Sequence, residues 1–216
     1  MESELVAALT AATRGRLPET VERVIDDLGM VRRVAEASYR HDNGFTKVVL
    51  GTRDNARIRF HVWATARTSE SNVHNHRWDF ASMVLAGALD MEYYEVLDRD
   101  TDPGSLDVVE LEAFRYVPRG GGPYDLRPLG PVLAARTSAT TGEAGYRYHL
   151  RHHRLHRVTA PVTPAVTCFL SAPAATDHTT VLRHPTAPPE DGRVERLTVE
   201  ETRAELALIR DLLDHR

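Results

Sequence analysis

Hydrophobic positions change their period along this chain. Over residues 1–39 they recur at three- and four-residue steps, at Leu5, Val6, Leu9, Val21, Val24, Ile25, Leu28 and Val31, the spacing of amphipathic helices. Pro18 stands just ahead of the second helical stretch, and Glu19 and Glu22 fall in its first turn, where the helix dipole favours negative charge. Strand-like runs then follow at 46–51, 56–64, 78–85, 88–96, 108–116, 145–150, 157–159, 165–171 and 179–183. Asp102-Pro103-Gly104, Gly120-Gly121-Gly122-Pro123 and Thr141-Gly142 punctuate them, and Gly87, between two apolar runs, reads as a tight hairpin position. After a Pro-rich connector at 185–193, Leu206, Ile209, Leu212 and Leu213 form the stripe of a last helix that opens on Thr198 and Glu201 in capping-box spacing. Many short strands without intervening helices predict a sandwich or barrel. The organisation expected is a helical segment over 1–44, a β-barrel over 45–184, and a linker with a C-terminal helix over 185–216, all in one structural domain.

Composition narrows the function more than the fold. With 42% hydrophobic and 27% charged residues, the chain can build a core and is not disordered. A net charge of −4 leaves no electrostatic footprint for a nucleic-acid partner. Cys168 is the single cysteine, so neither an internal disulfide nor a cysteine zinc cage can form, and a reducing, cytoplasmic setting is expected. The acidic N-terminus lacks a signal-peptide pattern, and no apolar run is long enough for a membrane span. The expected partner is therefore a small molecule. The apolar helix faces suit either burial on the barrel or a homodimer contact, so monomer and homodimer both stay open.

The chemistry concentrates in His74-Asn75-His76-Arg77-Trp78-Asp79-Phe80. On a strand, His74 and His76 project to one face, about 7 Å apart along the chain, which suits two imidazoles meeting one metal ion. A third ligand must come from elsewhere, and His149, His152, His153 and His156 crowd one downstream stretch. Trp78 falls nominally on the same face as the pair, as a pocket wall or as packing. Asp79 is either an acceptor for a ligand's second ring nitrogen or a loop or strand-end carboxylate. Arg59, His61 and Trp63 alternate on another strand, facing either the interior or solvent.

These motifs resemble a known family. The His-x-His pair, with Gly87 following, matches the spacing of the cupin superfamily. The phrase His156-Arg157-Val158, with Pro164-Ala165-Val166-Thr167 after it, resembles the second motif of cysteine dioxygenases and related thiol dioxygenases. The resemblance spans about 45–185. It implies a jelly-roll barrel, His156 as third metal ligand with His149 and His153 as alternatives or as pocket-lining or solvated residues, and Tyr148 as a phenol near the metal. Phe45-Thr46-Lys47 stands where that family has an aromatic-Thr-Arg phrase whose arginine holds the substrate carboxylate, so Lys47 would take that role.

Departures from the family also carry information. Phe80 stands where that family has a crosslinking cysteine and where other cupins place a glutamate ligand. Thr167, Phe169 and Ser171 replace a Ser-His-Tyr relay. These changes argue against cysteine itself as substrate. The reading is a three-histidine, iron(II)-dependent, dioxygenase-like enzyme using O2 on a small polar substrate. Lys47 and Tyr148 are its candidate catalytic residues, and Lys47, Arg59, Trp78, Tyr148 and His153 its candidate substrate contacts. Imidazoles suit zinc, nickel, copper or manganese equally. A metal-dependent isomerase, lyase or hydrolase, or a ligand-binding cupin without catalysis, are the alternatives.

Overall fold

The computed structural model describes residues 2–41, 43–53, 56–64, 72–98, 100–102, 104–118, 124–187 and 194–214. Three helices lead: α1 (Glu2–Arg14), α2 (Leu17–Asp26) and α3 (Leu28–Ala37). The strands are β1 (Tyr39–Arg40), β2 (Thr46–Arg53), β3 (Ala56–Trp63), β4 (Val73–His74), β5 (Phe80–Leu97), β6 (Asp107–Pro118), β7 (Tyr124–Glu143), β8 (Arg147–Leu150), β9 (Leu155–Ser171), β10 (Thr179–Arg183) and β11 (Glu195–Arg196). Helix α4 (Val199–Asp214) closes the order. No helix among the described residues is long and apolar enough to cross a membrane.

The result is an all-β core with flanking helices. Neighbouring strands pair antiparallel, and the relations β9–β4–β10–β6–β7–β5–β9 return on themselves. Strands β2 and β3 extend the sheet beyond β9. Alternation gives this extension two faces. Phe60 and Val62 point to one, with Val48, Ala81, Met83, Val166, Cys168 and Leu170, and there the helices bury Leu9, Val21, Val31, Leu206, Ile209 and Leu213. Arg59, His61 and Trp63 alternate to the other, together with Phe169, against which both the Arg59 guanidinium and the His61 ring lie. Covering the first face with helices leaves the second for the site.

Local signals explain the helix ends. Asp27 accepts from Met30 N at the start of α3 (3.0 Å). The expected capping box forms at α4: Glu201 N donates to Thr198 Oγ1 (3.1 Å) and Thr198 N to Glu201 Oε2 (2.8 Å). Pro18 lies within the first turn of α2 rather than ahead of it, where its missing N–H costs nothing.

Besides the two-residue strands β1, β4 and β11, which lie outside the expected runs, the strand boundaries differ from expectation in three places. The runs 78–85 and 88–96 are one strand, β5, and 157–159 and 165–171 are one strand, β9. Gly87 is therefore no hairpin turn. It sits at φ 70° in the middle of β5, where the β5–β9 register shifts repeatedly. A Cβ there would lie 2.7 Å from Pro164 O and 2.8 Å from Ala165 Cα, so glycine lets the two long strands bend into close contact. The third difference is β7, absent from the sequence expectation. It carries Pro128, Gly130 and Pro131 and only scattered buried side chains, so it shows no alternation. Hydrogen-bonded ladders to β5 and β6 make it a strand.

Gly87→Ala should cost about 2–4 kcal/mol of unfolding free energy, because it combines αL strain with a backbone clash. Gly51→Ala, which meets open space, should stay within about 0.5 kcal/mol. Urea unfolding of both variants checks this; equal midpoints for the two would refute the role given to Gly87.

Candidate metal centre

Two short pairings bring distant histidines together. His74 on β4 lies directly opposite His156 on β9, and their ring centroids are 4.7 Å apart. His76 follows just past the end of β4, 5.0 Å from both other rings. One nitrogen from each imidazole lies within 4.8 Å of the others. Between the pair, Asn75 turns the opposite way and ties the segment to β10: Asn75 N donates to Thr180 O (3.1 Å), and Thr180 N to Asn75 Oδ1 (2.7 Å). That clamp holds the two histidines on one face.

The donor set fits a metal ion. His74 Nδ1 is 2.8 Å from Asn72 O; a carbonyl only accepts, so Nδ1 carries the proton and Nε2 keeps its lone pair. His76 Nε2 and His156 Nδ1 are buried, the first with no hydrogen-bond partner and the second beside backbone groups of Arg154 and His74 without an aligned bond. An orphan of this kind costs about 1–3 kcal/mol, and a cation bound to that same nitrogen removes the penalty. Burial pushes His76 and His156 well below the ordinary imidazole range and lowers His74 as well, so all three rings are neutral, the form that ligates.

Of the two roles open to it, Asp79 takes that of a loop carboxylate and does not orient a ligand directly. Its Oδ1 accepts from both His152 N (2.8 Å) and His152 Nδ1 (2.9 Å). His152 O in turn accepts from His76 N (2.9 Å). Asp79 thus braces the turn on which His76 hangs, and these hydrogen bonds hold its carboxyl below the usual range against the opposing effect of burial. His153 is exposed on that same turn, edge-on to His152, so the pocket-lining role expected for it is withdrawn. His149 lies on β8 opposite Ala81, outside the cluster.

Aromatic and cationic groups surround the three rings. Phe80 lies 4.7 Å from the His76 ring and 4.2 Å from the Phe169 ring. Trp78 is 6.1 Å from the His76 ring. The Arg59 guanidinium lies between Trp78 (4.7 Å) and Phe169 (4.5 Å), and its Nη2 donates to Ser171 Oγ (3.0 Å). Lys47 pairs with His61 across β2–β3, and its Nζ donates to Tyr39 OH (2.8 Å). Burial, with Arg59 next in effect, pushes Lys47 well below the usual lysine range. Tyr148 stands farther off. Its ring contacts are with Phe80 (5.9 Å) and Tyr146 (6.0 Å), not with a ligand histidine, and burial raises its phenol to about 12.

Sequence reasoning passed over Tyr39 and His41. They alternate at β1, and their rings continue the stack through Phe45 to His61 and Trp63. Two polar aromatics spaced by one residue ahead of Lys47 were the available signal. Burial pushes His41 and His61 well below the usual imidazole range as well.

No family model and no curated protein matches this chain. Among solved structures, it is similar to an RmlC-like cupin from Shewanella frigidimarina (16% identity over 65% of this chain and 86% of that one, TM-score 0.36). It is also similar to hydroquinone 1,2-dioxygenase from Sphingomonas sp. TTNP3, with 4-hydroxybenzoate bound (16%, 60% and 67%, TM-score 0.36). Hydroxypropylphosphonic acid epoxidase from S. wedmorenis matches at 11% over 60% of this chain and half of its own length (50%), with a TM-score of 0.34. Superpositions this loose carry no functional information.

Neutral ligands make two pH-dependent outcomes testable. Metal binding at pH 6.5 should release close to no protons, against about 0.5 per histidine for exposed rings. Calorimetry in two buffers of different ionisation enthalpy measures this, and release of more than about one proton contradicts it. The metal-free protein should also lose stability in acid. Five histidines, at 41, 61, 74, 76 and 156, have lowered folded-state values. The unfolded chain takes up these protons at about pH 6.5 and the folded chain does not. Stability is full above about 6.5 and declines as pH falls from there toward the folded values, by up to about 1.4 kcal/mol per unit for each ring. A flat denaturation midpoint between about pH 7 and 5 would contradict the assignment.

Proposed function

We propose that this chain is a cupin-type, mononuclear non-heme iron(II) oxygenase, dioxygenase-like in its chemistry, acting on a small polar substrate. The observation that carries the reading is the cluster of His74, His76 and His156, three neutral imidazoles within 4.8 Å of one another. Neutral ligands leave the full charge of a divalent ion and open coordination positions. Iron(II) held there supplies the electron chemistry that lets O2 react with an organic molecule. Around it, Trp78, Phe80 and Phe169 exclude water, while Lys47 and Arg59 orient the substrate. Tyr148 keeps its proton and acts through its packing on Phe80 rather than by touching substrate.

One observation favours a second reading. Lys47, pushed well below the usual lysine range by burial, is a candidate base, which suits a redox-neutral isomerase, lyase or hydrolase on the same three histidines. Zinc, nickel, copper or manganese would serve such a reaction.

Elemental analysis of protein purified without a histidine tag, with iron supplied, tests the centre. About one iron per chain is expected, falling below about a tenth in His74→Ala and His156→Ala. An oxygen electrode then separates the readings. Substrate-dependent O2 uptake supports the oxygenase; persistent zinc with turnover but no O2 uptake supports the redox-neutral reaction. Full iron occupancy in His156→Ala would defeat the ligand assignment.

A further inference from the structure

The interior beside the histidines holds positive charge without a counter-ion. Arg59 is 4% exposed. Its Nη2 reaches the neutral hydroxyl of Ser171, and its Nε is buried with no partner. Among the described residues, no carboxylate pairs with Arg59 or with Lys47, although exposed arginines elsewhere find acids readily, as Arg136 does with Glu92 (2.8 Å) and Asp107 (2.7 Å). A desolvated guanidinium left unpaired is expensive. That expense appears as Arg59 drawn down to about 9, first by burial, with Arg57 and Arg77 adding to it against the opposing effect of Tyr39.

Its surroundings define what can complete it. Trp78 and Phe169 occupy positions against the guanidinium at 4.7 and 4.5 Å, so a hydrogen-bonding group reaches it along its edges, where the N–H bonds lie. That approach selects a planar oxyanion accepting two N–H bonds. The same two rings lie 6.1 and 6.2 Å from the ring of His76, so a group seated on Arg59 sits one aromatic layer from the metal ligands. Phe80 and Phe169, stacked at 4.2 Å and buried, make the surroundings of His76 and Arg59 apolar.

We infer that the substrate is an organic carboxylate, seated on the edge of Arg59 with its body in these apolar surroundings, directed toward His74, His76 and His156. This names the substrate class for the site proposed above and rests on that reading for the metal, though not for the anion. Arg59 is here a substrate-binding residue and Ser171 a positioning residue, fixing the guanidinium through Nη2. Lys47, hydrogen-bonded to Tyr39, supplies a second positive end once an anion arrives.

The test is a titration of the iron(II)-loaded chain under argon with benzoate, with its uncharged isostere benzamide, and with acetate, by calorimetry and tryptophan fluorescence. Both tryptophans of the chain report, Trp78 against Arg59 and Trp63 against Phe45. Benzoate should bind at least about tenfold more tightly than benzamide, and Arg59→Gln should weaken benzoate by about 10- to 100-fold with iron content unchanged. Arg59→Lys, which keeps the charge without the planar fork, should retain part of the affinity. It also serves as the comparison if Arg59→Gln does not fold, and undiminished affinity in it then overturns the assignment. Equal affinity for benzoate and benzamide, no binding of benzoate or acetate below about 10 mM, or benzoate binding that survives Arg59→Gln but is lost with the metal in His156→Ala overturns it too. Because O2 is absent, the two proposals fail separately. Carboxylate binding without later O2 uptake leaves Arg59 as anchor and defeats the oxygenase. O2 uptake with affinity indifferent to Arg59 does the reverse.

Discussion

The register of β9 governs everything the site does. This strand pairs with β3 on one side, with β5 along nearly its whole length, and with β4 at a single pair, His74 opposite His156. Side chains on a strand alternate, so a slip of one residue exchanges the two faces. Here it would turn His156, Phe169 and Ser171 away from the interior and bring Cys168 and Leu170 in from the helix-covered core. The cost of exposing that core is what fixes the metal ligands. The long helices contribute no ligand, yet their apolar stripes decide which face of β3, β5 and β9 remains for chemistry.

A second constraint is electrostatic. The interior gathers neutral histidines, the Arg59 guanidinium and the amine of Lys47, and among the described residues no acid reaches Arg59 or Lys47. Elsewhere the chain pairs its charges in the usual way, with Glu92 between Arg136 and Arg157 and with Glu201 against Arg40. An unpaired interior within a chain of net charge −4 is therefore a local arrangement and not a consequence of composition. Desolvation sets the protonation state there: it keeps imidazoles neutral and ready to ligate, and it leaves Arg59 short of an anion.

Asp79 and Gly87 show how support for the site is spread along the chain. Asp79 braces the His152 turn, whose carbonyl holds the backbone of His76, so its effect on the metal passes through two hydrogen bonds. Gly87 permits β5 and β9 to bend in register. Neither residue touches the three histidines, and both fix where they stand.

Much of this was legible in the residues. Helical periodicity located the terminal helices, the Thr198–Glu201 spacing located a cap, and the His74–His76 spacing put two imidazoles on one face, because each of these signals is local. The third histidine could be narrowed to a crowded stretch but separated from His149 and His153 only by resemblance, since cross-strand register depends on contacts far apart in the chain. Strand β7 was invisible because its hydrogen bonds, not its side chains, make it a strand. The facing of Arg59 was undecided because alternation gives two faces without saying which is inside. By itself the sequence determined the terminal helices, the strand-rich middle and the paired histidines. The tertiary structure alone decided that β9 presents His156 to β4, that Asp79 braces a turn, and that Arg59 is buried with no acid beside it among the described residues, because burial and register arise only when distant strands pack.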